Sequence, residues 1–238
     1  MLFRVFSVVL VLLLTQGCAQ QQAIDLSDLS LPKLNPQSSI SCQYEKSDTK
    51  VGKEVGYWYF MRQPNRTESR DDLTQQGQIW EKDPKGNITM THLFHQEKVA
   101  LEYSSGELAA TGKPSNWNMH WSIINPQQLK QNFVLQKSED IKGVKASFYK
   151  DHESEIVWLP DLQLPAAIKS HEEDAEFKSF VLKSCLAIDK ASVRPTTETE
   201  INQYRRIDFS DLGDMETDPV VKKIEALLGG HSHDHQGH

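Results

Sequence analysis

The chain lacks the devices that usually announce chemistry. It has no glycine-rich phosphate loop, no nucleophile elbow and no metalloprotease helix, so the short motifs of nucleotide binding, acyl transfer and zinc hydrolysis are missing. Basic runs are absent too. Acidic residues outnumber basic ones, 33 to 26, for a net charge of −7. Nothing here would hold a phosphate backbone, which excludes nucleic acid as a partner. Hydrophobic residues reach only 38% and mean hydropathy is −0.55. After residue 14 no apolar run approaches the length of about 20 residues that a membrane span needs. No internal repeat is visible. With no catalytic motif, the chain reads as a non-enzyme.

What is present begins at the N-terminus. Arg4 supplies a positive charge, and Phe6 to Leu14 are apolar apart from Ser7. Leu14-Thr15-Gln16-Gly17-Cys18 closes the segment. A charged start, a short apolar stretch and a small residue before a cut describe an export signal. The closing residues resemble the lipobox of bacterial lipoproteins. That resemblance implies cleavage after Gly17 and acylation of Cys18, whose lipid would tether the chain to a membrane. Two or more acyl chains hold stably where one does not. Ala19, where an Asp would imply inner-membrane retention, implies the outer membrane, with the domain facing the periplasm. The alternative is an ordinary secretory signal cut elsewhere, with Cys18 incidental.

If Cys18 carries lipid, Cys42 and Cys185 remain as an even pair in an oxidising compartment, and a disulfide is the natural reading. Two separately buried thiols are the alternative.

The expected organisation is a signal over 1–17, a lipidated cysteine and linker over 18–39, one β-rich domain over 40–228 and a disordered tail over 229–238. The linker carries Gln20 to Gln22, Pro32 and Pro36, yet Ile24, Leu26, Leu29, Leu31 and Leu34 imply that part of it packs. Strand-like alternation runs from 40 to about 111. Val55 to Met61 is apolar on both faces, as in a central strand. Arg66 to Arg70 is polar throughout and reads as an edge or a solvated face. Asp83 to Asn87 is a hairpin turn. Asn125-Pro126 caps a short helix. Strands follow at Val144–Tyr149 and Glu155–Leu159, then a loop bracketed by Pro160 and Pro165, then strands near 177–188 and 200–209. Asp218-Pro219 opens a last helix with Val220, Val221, Ile224, Leu227 and Leu228 on one stripe. The expected fold is α+β and mainly antiparallel. It is one large curved sheet of roughly eight to eleven strands, half-barrel-like, with a few short helices.

Strand order and aromatic content over about residues 40 to 210 resemble the LolA/LolB-type half-barrels that carry lipoproteins. The resemblance implies a concave apolar face for acyl chains, and hence a lipid- or lipoprotein-binding module. Trp58, Trp80, Trp117, Trp121 and Trp158, on or beside expected strands, are the candidates for that face. An ordinary aromatic core is the bland alternative.

The tail is the sharpest chemical feature. His231, His233, His235 and His238, with Asp234, could converge on zinc or copper because the segment follows two glycines. This favours a metal-handling lipoprotein as a second reading. A structural or assembly partner of an envelope complex is a third. His92 and His95, three apart on a strand, should point to opposite faces. The acids Asp208, Asp211, Asp214, Glu216 and Asp218 lack EF-hand spacing. Asp218 there reads as a helix cap.

Overall fold

The computed structural model describes residues 31, 34–47, 55–113, 116–141, 143–170 and 179–228. The signal, Cys18, and His231, His233, His235 and His238 of the tail lie outside them.

Twelve strands make one sheet. They are β1 (Ile40–Ser47), β2 (Val55–Gln63), β3 (Arg66–Asp71), β4 (Gln76–Lys82), β5 (Ile88–Phe94), β6 (Val99–Tyr103), β7 (Val134–Ile141), β8 (Val144–Lys150), β9 (Ser154–Leu159), β10 (Leu164–Ser170), β11 (Ser179–Ala187) and β12 (Arg205–Asp208). Their spatial order is β12-β6-β5-β4-β3-β2-β1-β11-β10-β9-β8-β7. The ends do not meet, so the sheet is an open half-barrel. All pairings are antiparallel except β12 with β6. The helices are α1 (Ser105–Ala110), α2 (Trp117–Ser122), α3 (Pro126–Asn132), α4 (Glu198–Ile201) and α5 (Pro219–Leu227). The α+β expectation therefore holds, with twelve strands in place of eight to eleven.

The sheet is two meanders joined at a seam. Strands β1 to β6 run outward in one direction and β11 to β7 in the other, and β1 pairs with β11 between them. Cys42 faces Cys185 across that seam, with Cα atoms 3.9 Å apart, and the two form a disulfide. Around it lies a core of Ile40, Tyr44, Phe60, Leu159, Leu164 and Leu182, against which Leu31 and Leu34 of the linker pack. A second core, including Phe94, Leu101, Tyr103 and Ile207, lies under α1 and α5 through Leu108, Val221 and Ile224.

Several expectations need correction. Residues 66–70 do not form an edge: β3 is interior, and Thr67 and Glu68 are 2% and 1% exposed. Its polar side chains are buried because a distant segment satisfies them. The loop expected between Pro160 and Pro165 is a turn over 160–163, but Pro165 itself lies in β10, a strand that was not anticipated, beside a register shift, where a missing N–H is tolerated. Trp117 and Trp121 lie on helix α2 rather than on strands. The strand expected over 200–209 begins as α4 and is extended only over Arg205–Asp208. Strand β7 was not anticipated.

Candidate functional site: a buried arginine under two short helices

Strand β2 explains the site. On one face Trp58, Phe60 and Arg62 stand beside Tyr44, Cys42 and Ile40 of β1. The apolar stripe thus ends in a cation. Arg62 is fully buried, at 0% exposure, among apolar neighbours. Its Nη1 donates to the Trp121 carbonyl at 3.2 Å and its Nη2 to the Leu162 carbonyl at 3.0 Å. The Trp121 ring covers the guanidinium at 4.7 Å. Its Nε has no partner. Among the described residues, no carboxylate lies within ion-pair distance. Burial lowers its pKa to about 10, partly opposed by Tyr44. A buried cation without a counter-charge carries a desolvation cost that backbone carbonyls offset only in part.

The cover over Arg62 is α2, followed at once by α3. Asn116 caps α2 by accepting from the Asn118 N–H, and Asn125 caps α3 by accepting from the Gln127 N–H. Between them Ile123 has φ 64° and ψ −45°, and the Ile124 N–H donates to the Ser122 carbonyl at 2.6 Å. This is a γ-turn of the rare, strained hand. A β-branched residue there is a genuine outlier, holding about 1–3 kcal/mol.

The five tryptophans distribute around this cover. Trp121 lies on Arg62. Trp117 stands 6.2 Å from Trp121 and receives Lys82 at 5.2 Å. Trp80 is buried and stacks on His120 of α2 at 3.6 Å. Trp58 belongs to an aromatic group with Tyr44, Phe60 and Phe180. Trp158 is buried below α3 with Leu129, Tyr149 and Ile156. The structure thus gathers Trp80, Trp117 and Trp121 at α2, and sets Trp58 and Trp158 in adjoining cores. Arg62 was missed from sequence, although a lone cation closing the run Val55 to Met61 was its signal.

The opposite face carries a polar node beside buried Met61 and Ile79. Glu68 receives Arg66 at 3.1 Å, Arg70 at 3.0 Å, and the Thr196 N–H and hydroxyl at 2.8 and 2.6 Å. This node pins the connection 188–204 across the sheet. Beyond it, two open cavities of about 480 and 400 Å³ share Glu81 and Thr89. Neither is lined by tryptophan.

His92 and His95 do face opposite ways. His92 bonds Gln76 at 3.0 Å, and His95 bonds the Tyr204 hydroxyl at 2.7 Å. Among the described residues no group of three or more His, Cys, Asp or Glu is placed to hold a metal. Asp218 caps α5 by accepting from Val220 and Val221.

No family model and no curated protein matches the sequence. Solved structures give distant likenesses. PNGF-II superposes with a TM-score of 0.42 at 10% identity, over 76% of this chain and 33% of that protein. MucB gives 0.33 at 11%, over 69% and 57%. A LolA superfamily protein from Nitrosomonas europaea gives 0.24 at 7%, over 69% and 90%. The chain therefore spans a third of PNGF-II and little over half of MucB. None of these overlaps transfers a function.

Proposed function

We propose that the chain is a non-catalytic binding module of the cell envelope that takes up an amphiphile, an acyl chain with an anionic head, beneath α2 and α3. The observation that carries the reading is Arg62, a fully buried guanidinium whose hydrogen-bond acceptors among the described residues are the Trp121 carbonyl of α2 and the Leu162 carbonyl of the turn between β9 and β10. An anionic head group would give it the charge partner it lacks and release both carbonyls. The apolar cluster that includes Phe60, Leu162 and Leu164 supplies surface for a chain, each buried methylene contributing about 0.8 kcal/mol. Strain at Ile123 lowers the cost of lifting the cover. In this reading Cys18 is the lipid anchor at the outer membrane.

Native mass spectrometry of the full chain extracted without detergent tests the reading. A co-purifying anionic lipid, lost in Arg62→Met, is expected. Bound zinc or copper without lipid would favour the tail-based reading, and neither would favour an assembly partner. Faster hydrogen exchange over 117–124 in Arg62→Met, with the sheet unchanged, is expected if Arg62 holds α2 down through the Trp121 carbonyl. Cys18→Ser should leave the membrane fraction. Detergent-sensitive anchoring that persists would overturn the lipoprotein assignment.

A further inference from the structure

Strand β7 closes one end of the sheet, and seven of its eight residues are exposed. Val134 is 66% and Leu135 51% exposed. Among the described residues no strand pairs with its outer edge, and only Ile141, at its end, packs against a core. Such an edge is a template for another strand.

We propose that β7 pairs antiparallel with β7 of a second copy of this chain, about a two-fold axis through Ser138. The order of charges selects this occupant. Lys137 and Glu139 flank Ser138 on one face of the strand, and within one copy they touch at 2.9 Å. With Ser138 opposite its own counterpart, Lys137 of each copy stands opposite Glu139 of the other, twice over, and Gln136 stands opposite Asp140. Sliding by two residues, the smallest shift that keeps every side chain on its face, sets Lys137 against Lys137 or Glu139 against Glu139. Like charges directly opposite are destabilising. A parallel pairing in register does the same. The charges therefore favour this register over its nearest neighbours and oppose unrelated apolar strands. The irregularity of β7 against β8 falls between Leu135 and Lys137, outside the central triplet. Lys137 is also held over the Phe148 ring at 4.3 Å, which fixes the face it presents. The contact is isologous, as closed dimers require.

Charge reversal tests this. The detergent-solubilised full chain should sediment as a dimer that dissociates on dilution. Lys137→Glu and Glu139→Lys should each be monomeric while melting as the parent does. Mixed, they should form a heterodimer, because positions 137 and 139 then carry one sign of charge on each strand. Ser138→Cys should give an intermolecular disulfide absent from the parent chain. A parent monomeric at every concentration would overturn the proposal. So would single variants that self-associate like the parent, or a mixture that stays monomeric.

Discussion

At the scale of single residues the molecule is organised by a few buried polar groups. Glu68 is the most consequential. Its two oxygens meet Arg66, Arg70 and Thr196, and at 1% exposure the carboxylate is shielded from solvent. Glu68→Gln removes the charge and leaves two guanidinium groups without their shared partner. A loss of about 3–5 kcal/mol is expected, read as the urea midpoint, with early hydrogen exchange over 191–197. A loss under about 1 kcal/mol would mean the node is better solvated than its burial implies. His92 sets the acid response. Burial first, then Lys113 and His95, lower its pKa from 6.5 to about 4. The unfolded chain therefore takes up the proton before the folded one does. Stability is full above about pH 6.5 and falls as pH drops toward 4, by a few kcal/mol. His95, lowered chiefly by burial, acts in the same direction. His92→Gln should flatten much of that slope in melts taken from pH 7 to 4. An unchanged slope would assign the acid response elsewhere.

At the scale of elements, what could be read from sequence was what periodicity and caps encode. The bifacial strand Val55 to Met61, the Asn125-Pro126 start and the Asp218-Pro219 start all stand where the pattern put them. Two of the failures share a cause: partners distant in sequence. Arg66 to Arg70 looks solvated until Thr196 arrives from 128 residues away to satisfy Glu68. Pro165 breaks an isolated strand, yet between β9 and β11 a bulge accommodates it. Strand β7 has no burial pattern because, among the described residues, nothing covers it before Ile141. Helix α1 was legible and overlooked. Ser104 accepts from the Glu107 N–H while Glu107 accepts from the Ser104 N–H, a capping box spelled Ser-x-x-Glu. That helix delivers Leu108 into the second core at 0% exposure. Ser104→Ala should cost about 1 kcal/mol, measured by chemical denaturation, and no measurable change would show that packing of Leu108 alone holds the helix.

At the scale of the whole molecule, the sheet is two meanders held at one seam. All backbone pairing between the halves passes through β1 and β11. The disulfide bridges positions 143 residues apart at that seam, enclosing most of the domain in one loop. Cross-linking removes the freedom of such a loop from the unfolded chain, a stabilisation of about 2–5 kcal/mol. For a domain of this size that corresponds to a melting shift of roughly 5–15 °C. The core spanning the seam also ties the halves together, and it is separate from the one under α1 and α5. The Cys42→Ala/Cys185→Ala variant should therefore melt lower by that amount. Its hydrogen exchange should rise first along β1 and β11, before β4 and β5. A double variant melting within about 2 °C of the parent, with uniform exchange, would show that the continuous core across β1 and β11 holds the halves unaided.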